Sequence, residues 1–351
     1  MSAVDDERAP AAAKGDKGEG DASVQLEGQY EVGVPKPEWI SWRCGLSCRE
    51  LSWSFRVQEK TMLVIGVLLI PPVLYLTLAD IATKRPFDVN DPTISYEVKT
   101  GQVSTLAAAV WPVLDWVMAV MGVEYLLYRV RHREQAVAFA TFIHFSIGVF
   151  TASMGMTLTY LSMAVSAGIL RPAFLTKCAP DANGDCTAPD SELDDLRRSF
   201  PSGHAAYPSM IGIYTILYSL WSLYARAHGN ILRDVLGHLA AWKQDLVEGV
   251  INWVVLGYTF FVLFYVPVTR IQDNKHSTAD VTAGIMIGAF WAPPMLFRYI
   301  CVYNRRLKPA LDKYVEEAAL ESPASDRGGE RDGPADPADP ESTIHDHLTA
   351  A

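Results

Sequence analysis

The chain has 351 residues, of which 50% are hydrophobic, and its formal net charge is −10 at pH 7. The apolar residues are gathered into long blocks, which disfavours a soluble globular domain. Much of the negative charge comes from the C-terminal segment and from the polar loop 181–195, so the net charge says little about the core. Basic residues lie at the ends of the apolar blocks and form no stripe, so nucleic-acid binding is not expected.

The N-terminal segment, residues 1–36, is rich in Ala, Gly, Lys, Asp and Glu, and this composition predicts a disordered tail. Residues 37–60 carry Trp39, Trp42 and Trp53, and these aromatic side chains suit the headgroup layer of a bilayer. We therefore expect 37–60 to be an interfacial segment preceding the membrane domain.

Six apolar blocks are long enough to cross a bilayer, whose hydrocarbon core needs roughly 20 residues of helix. They are 61–80, 104–127, 136–164, 205–225, 249–268 and 278–302. The alternative, a soluble helical bundle with a large buried core, is disfavoured by the number and length of these blocks. The sequence predicts an all-α integral membrane six-helix bundle over 61–302, followed by a cytoplasmic acidic tail, 303–351. Residues 320–351 of this tail are rich in Pro, Asp, Gly and Ser and are expected to be disordered.

Clusters of Lys and Arg precede the first predicted span and follow the second, fourth and sixth spans. Because such clusters accumulate in cytoplasmic loops, both termini are expected in the cytoplasm. The loops 81–103, 165–204 and 269–277 then face the lumen or the extracellular space, with the endoplasmic reticulum and the plasma membrane both possible. This compartment permits disulfides, so we predict a Cys178–Cys186 bond, with two free thiols as the alternative.

Polar residues that can bind an anion lie in these outer loops. Ser202 and Gly203 stand where a polar loop becomes an apolar helix, so unpaired backbone N–H groups and the helix dipole favour an anion there. Two guanidinium groups, Arg171 and Arg270, match the geometry of phosphate oxygens. Together these residues predict a phosphate-binding site.

Two histidines and a carboxylate accompany this site. His276 and Asp280 are four residues apart, so at the start of a helix the carboxylate can hydrogen-bond one imidazole nitrogen and leave the other free to attack phosphorus. His204 is then available to protonate the departing oxygen. We predict His276 as nucleophile, Asp280 as its orienting group and His204 as general acid.

Three motifs resemble those of the type 2 phosphatidic acid phosphatase superfamily. They are Gly168-x2-Arg171-Pro172, Pro201-Ser202-Gly203-His204 and Arg270-x5-His276-x3-Asp280. The resemblance covers roughly 60–302 and implies a phosphohistidine on His276. It also implies phosphate binding by Arg171, Ser202, Gly203 and Arg270, and no metal ion or other cofactor.

One position departs from the family pattern, because Ala164 stands where the family has a lysine. Three interpretations are open. The enzyme is weakened, another cation such as Lys177, Arg198 or Lys275 replaces the lysine, or the site binds phosphate without turnover. We favour an active enzyme because the remaining charged and nucleophilic residues are present.

The resemblance implies a metal-independent phosphatase that acts on phosphatidic acid and related lipid phosphates in the bilayer. A polyprenyl diphosphate phosphatase and a catalytically weakened lipid-phosphate-binding protein are the alternatives that share the motifs. A transporter is a further alternative, in which Asp115, Glu124 and His144 inside the spans would line a pathway. The sequence leaves the oligomeric state undetermined.

Overall fold

The computed structural model describes residues 47–79, 81–131, 135–226 and 240–321, all within one unit, Gly45–Ala351. Across these ranges every regular element is a helix. The predictions of disorder for 1–36 and for 322–351 lie outside the described residues, as does most of the interfacial segment before Ser47.

The α-helices of the described residues are numbered in chain order. They are α1 Cys48–Arg56, α2 Lys60–Leu68, α3 Ile70–Leu78, α4 Thr105–Arg131, α5 Gln135–Ala167, α6 Phe174–Cys178, α7 Asp190–Leu193, α8 Gly203–Leu220, α9 Ala241–Gln272, α10 Thr278–Val302 and α11 Lys308–Glu321. Single π-helical turns, Trp221–Ala225 and Tyr303–Leu307, continue α8 and α10.

Within the described ranges, four segments are long and apolar enough to cross a membrane: Lys60–Leu78, Thr105–Glu124, Gln135–Ala167 and Thr278–Glu317. They coincide with the first, second, third and sixth predicted spans. The helical class is therefore confirmed, and four of the predicted spans correspond to helices that are long and apolar enough to cross a membrane. The fourth and fifth predicted spans lie in α8 and α9, helices of 18 and 32 residues, and the count of six spans stays a prediction.

The first predicted span, 61–80, is not one uninterrupted helix. It is divided at Leu69 into α2 and α3. Pro71 and Pro72 have no N–H to donate to the carbonyl groups four residues earlier, so the hydrogen-bond ladder fails at this point.

Helix α8 lies at the centre of the bundle and packs against α4, α5, α9 and α10. Its apolar side chains Met210, Ile211, Tyr214 and Tyr218 are fully buried. The N-terminus of α8 is therefore held in place by packing along the whole helix.

The contact between α8 and α10 depends on the absence of side chains at two positions. A Cβ atom at Gly284 would lie 2.3 Å from the Ser202 carbonyl oxygen, and one at Gly288 would lie 2.5 Å from the Ala206 carbonyl oxygen. Small residues at helix interfaces let backbones approach closely in this way. The approach brings the start of α8 beside the start of α10.

Ionisable residues inside the bundle connect helices to one another. Glu124 of α4 forms an ion pair with Arg226 and accepts a hydrogen bond of 2.6 Å from Tyr218 Oη. His144 Nε2 lies 3.0 Å from the Tyr299 carbonyl oxygen. Glu124 and His144 therefore hold neighbouring helices together, which explains their presence inside the bundle. These contacts do not support the transporter interpretation.

Asp115, the third residue of that interpretation, also contacts a neighbouring helix. Thr259 Oγ1 of α9 donates a hydrogen bond of 3.2 Å to Asp115 Oδ1. The carboxylate therefore joins α4 to α9.

Replacing Gly284 with alanine is expected to destabilise the protein by about 1–3 kcal/mol, because the new methyl group collides with backbone and cannot be relieved by a side-chain rotation. The matched control is Gly122→Ala, since a Cβ atom there meets nothing within 4 Å. Thermal unfolding in detergent micelles measures the difference. Equal unfolding temperatures for the two variants would contradict the close α8–α10 contact.

Candidate active site

The loop between α5 and α8 is closed by contacts between its two ends. The Arg171 N–H donates to the Leu196 carbonyl oxygen at 2.8 Å, and the Ser199 N–H donates to the Ile169 carbonyl oxygen at 2.9 Å. Within the loop, Cys178 and Cys186 form a disulfide with a Cα–Cα distance of 4.7 Å. These contacts hold Arg171 and Ser199 near the N-terminus of α8.

Ser202 is the N-cap of α8, and its backbone N–H donates to the Asp280 carbonyl oxygen at 3.0 Å. Its hydroxyl is buried and has no hydrogen-bond partner within the described residues. Because the first N–H groups of a helix have no intrahelical acceptor, the start of α8 presents free donors. Gly203 and His204, the first two helical residues, line a cavity.

Asp280 is fixed at the first turn of α10 by a capping box. Its Oδ2 accepts the Ser277 N–H at 2.8 Å, and its own N–H donates to Ser277 Oγ at 3.2 Å. The reciprocal bonds satisfy two donors that the helix terminus would otherwise leave free. The carboxylate is therefore held in one orientation.

His276 precedes this helix, and its Nδ1 lies 2.8 Å from the Ser199 carbonyl oxygen. A carbonyl oxygen only accepts hydrogen bonds, so Nδ1 carries the proton and Nε2 keeps its lone pair. The sequence predicted a direct bond from Asp280, but Asp280 Oδ2 lies 3.9 Å from Nδ1, too far for a hydrogen bond. The Ser199 hydroxyl donates to Asp280 Oδ2 at 2.6 Å and so connects the carboxylate to the histidine.

Burial lowers the pKa of His276 well below its usual value, and the positive charge of Arg171 and the neighbouring His204 lower it further. Removing a cation from water without a compensating anion is unfavourable, which is the main cause of the shift. His276 is therefore neutral at pH 7, with a nucleophilic nitrogen.

Four of the predicted site residues meet at one cavity of about 430 Å³: Arg171, Gly203, His204 and His276. The ring centroids of His204 and His276 are 6.3 Å apart. Among the described residues, no group donates to or accepts from the buried His204 Nε2 or Arg171 Nε. Unpaired buried polar atoms are costly unless a ligand satisfies them, so the cavity is suited to an oxyanion.

Arg270 does not line this cavity. Its Nη2 donates to the Val103 carbonyl oxygen at 2.7 Å and to Asp273 Oδ2 at 3.3 Å, and the residue is 1% exposed. The guanidinium joins the end of α9 to the segment before α4. No motif or spacing in the sequence indicated that the Val103 carbonyl and the Asp273 carboxylate would accept hydrogen bonds from this guanidinium.

The cations that were candidates to replace the missing lysine are separated in the structure. Arg198 lines the cavity together with the buried Ala164, whereas Lys177 and Lys275 line a second cavity. Arg198 Nη1 donates to the Leu76 carbonyl oxygen at 2.6 Å, while its buried Nε has no partner within the described ranges.

The fold and the site define a helical membrane protein with a cavity that is lined by cations and by a neutral histidine. The sequence model of the PAP2 superfamily matches residues 141–306, a range that contains every predicted catalytic and phosphate-binding residue. The chain is therefore similar to this superfamily over that range, which is somewhat less than half of its length.

Curated relatives carry related names. The chain is 27% identical over 259 residues to phospholipid phosphatase 2 of Rattus norvegicus, covering 69% of this chain and 85% of the relative. Identity to phospholipid phosphatase 2 of Homo sapiens is 26% over 257 residues, covering 68% and 81%. Phospholipid phosphatase 1 of Mus musculus is 26% identical over 237 residues, covering 63% and 77%. No solved structure matches significantly.

Proposed function

We propose that the protein is a membrane-bound lipid phosphate phosphatase that acts on phosphatidic acid and related lipids through a phosphohistidine, without a metal cofactor. The observation that carries the proposal is the neutral His276, whose Nδ1 proton is held by Ser199 while the ring borders a cavity shared with His204 and Arg171. The names of the relatives, phospholipid phosphatases 1 and 2, support the choice of a lipid phosphate substrate.

In the first step, His276 Nε2 attacks phosphorus and the bond between phosphorus and the lipid oxygen breaks. Burial, followed by the positive charges of Arg270 and Arg171, lowers the pKa of His204 to about 4. The negative charge of a bound phosphate favours the imidazolium, so His204 takes up a proton with the substrate and gives it to that oxygen as it leaves, which avoids the release of an alkoxide. Reacting atoms need to approach to about 3–3.5 Å. The ring centroids of His204 and His276 are 6.3 Å apart and both residues line the cavity, so a phosphoryl group bound there would lie near both rings.

In the second step, a water molecule attacks the phosphohistidine and the bond between Nε2 and phosphorus breaks. His204, neutral after the first step, accepts a proton from this water. Inorganic phosphate leaves and both histidines return to their starting protonation states. Throughout, the Ser199 carbonyl keeps the Nδ1 proton in place and stabilises the charge that develops on the ring.

The phosphoryl oxygens are held by cationic and backbone donors. Arg171 Nε is unpaired and buried, and the first N–H groups of α8 are free. The Ser202 hydroxyl, also unpaired, lies at the same helix terminus. Arg198 adds a second guanidinium at the cavity wall, which supports the interpretation that it replaces the lysine absent at position 164.

The lipid portion is expected to enter between helices. Ala108 and Ala109 of α4 and Leu161 of α5 give the cavity an apolar wall. A phosphate can then lie against the cations while the acyl chains remain in the bilayer. This arrangement favours an amphiphilic substrate over a soluble sugar phosphate.

The proposed topology has six spans, both termini in the cytoplasm and the cavity on the luminal or extracellular side. It also includes an interfacial segment at 37–60 and a cytoplasmic tail at 303–351. The alternation of basic loops along the chain supports this orientation. The meeting of His276, His204 and Arg171 at one cavity agrees with the prediction that their loops share a membrane face.

Phosphate release from phosphatidic acid in detergent micelles with EDTA tests the central proposal. We expect release to persist in the chelator and to vanish in His276→Ala. His204→Ala should lose activity on the lipid but keep a first-turnover burst of p-nitrophenol from p-nitrophenyl phosphate, because that leaving group needs no proton whereas hydrolysis of the phosphohistidine still needs a base. Equal activity of His276→Ala and the native protein would contradict the proposal, provided that both have the same melting temperature.

Ser199→Ala removes the hydroxyl that joins Asp280 to Ser199, the residue whose carbonyl oxygen accepts from His276 Nδ1. A hydrogen bond to a charged group is worth about 1.5–3 kcal/mol, so kcat should fall roughly 10- to 100-fold with little change in KM. Ser209→Ala is the matched control, because this buried serine hydroxyl has no partner among the described residues. A rise in KM with unchanged kcat would show that Ser199 does not position the nucleophile.

Arg198→Gln should raise the KM for phosphatidic acid by about 10-fold, as expected for the loss of one charge-assisted hydrogen bond. The double variant Arg198→Gln/Ala164→Lys should recover part of this loss. Arg197→Gln is the control, since Arg197 pairs with Asp190 and does not line the cavity. Equal effects of the Arg197 and Arg198 variants would refute the replacement of the lysine by Arg198.

A further inference from the structure

A second, smaller cavity lies beside the first. Its volume is about 90 Å³. It is lined by Val98, Lys99, Arg171, Ala173, Lys177, Leu196, Asp273, Asn274 and Lys275. Four of these residues are cations and one is a carboxylate, so the cavity carries a strong excess of positive charge.

Asp273, the one carboxylate among these lining residues, is hydrogen-bonded to groups other than the four cations. Asp273 Oδ2 accepts a hydrogen bond of 3.0 Å from the Gln102 N–H and one of 3.3 Å from Arg270 Nη2. Lys99 Nζ donates to the Gln272 carbonyl oxygen at 3.1 Å, which leaves its charge uncompensated. In the part of the chain that the structure describes, no carboxylate pairs with Lys99, Lys177 or Lys275.

Arg171 lines both cavities, so the two cavities meet at this residue. Asp195, the carboxylate that pairs with Arg171 at 2.8 Å, borders the first cavity and not the second. An anion in the second cavity would therefore meet the face of Arg171 together with three lysines. A cluster of cations of this kind attracts a small anion of high charge.

The size of the cavity limits the ligand. A bound water occupies about 30 Å³ of liquid volume, so the space admits a tetrahedral oxyanion but no acyl chain. The flexible ammonium groups of three lysines can each donate to the oxygens of such an ion. Phosphate is the oxyanion that the proposed reaction itself supplies.

We propose that the second cavity is an additional phosphate-binding subsite adjoining the reaction centre. This inference rests on the proposed function and names a second ligand position for the same site. Two sources share the chemistry: inorganic phosphate that leaves after hydrolysis of the phosphohistidine, and the second phosphoryl group of a diphosphate lipid headgroup. In both cases Arg171 contacts the phosphates of the two cavities.

The test uses the double variant Lys99→Ser/Lys177→Ser in the full-length protein. The inhibition constant of inorganic phosphate is measured during hydrolysis of phosphatidic acid, and we expect it to rise about 10-fold or more for the loss of two cations. Lys84→Ser is the matched control, because Lys84 is an exposed lysine that pairs with Asp190 and lines neither cavity. Its inhibition constant should equal that of the native protein.

A second arm compares kcat/KM for diacylglycerol pyrophosphate with that for phosphatidic acid. A weaker phosphate inhibition with an unchanged ratio identifies a subsite for the leaving phosphate. A ratio that falls in the double variant identifies a subsite for the diphosphate headgroup. If neither quantity differs from that of Lys84→Ser, the subsite is refuted.

A third measurement separates this inference from the proposed function. Titration calorimetry of inorganic phosphate into His276→Ala requires no turnover. If the native protein hydrolyses no lipid phosphate but phosphate binding still weakens in Lys99→Ser/Lys177→Ser/His276→Ala, the subsite stands and the proposed function fails. If His276→Ala and Lys99→Ser/Lys177→Ser/His276→Ala bind phosphate with equal affinity, the proposed subsite is refuted, whether or not the native protein hydrolyses lipid phosphates.

Discussion

The hydrogen bond between His276 Nδ1 and the Ser199 carbonyl oxygen sets the chemistry of the cavity, because it decides which imidazole nitrogen keeps a lone pair. A histidine without this bond would exchange its proton between the two nitrogens and turn freely about its side-chain bonds. Ser199 can serve as acceptor only because its own N–H is held by the Ile169 carbonyl oxygen at 2.9 Å. The loop before α8 and the loop before α10 must therefore be in place before His276 is an effective nucleophile.

The close approach of α8 and α10 brings these loops together. Gly284 allows the start of α10 to lie against the Ser202 carbonyl, and the Ser202 N–H in turn donates to the Asp280 carbonyl oxygen. One helix contact thus places the anion-binding terminus of α8 beside the carboxylate of α10. The same contact holds two buried histidines near each other, which is an unfavourable arrangement for two cations and so favours the neutral form of His276.

The sequence predicted the helices well where the signal was local. Long apolar blocks predicted the four helices that are long enough to cross a membrane, and the motifs around His204 and His276 predicted residues that meet at the cavity. Competition between distant groups was not predictable. Arg270 is held by the Val103 carbonyl, 167 residues away along the chain, and Ser199 lies between His276 and Asp280 although it is 81 residues from the latter. Neither hydrophobic periodicity nor motif spacing can predict contacts between residues so far apart in the sequence.

The phosphohistidine is the central claim, and rapid quenching tests it most directly. The enzyme is mixed with phosphatidic acid carrying a radioactive phosphate, stopped in alkali within the first turnover, and digested for peptide mapping. Our account predicts an acid-labile label on the peptide that contains His276, formed in the native protein and absent in His276→Ala. A burst of labelled inorganic phosphate with no protein-bound label at any time would contradict it and would indicate direct attack by water on the lipid phosphate.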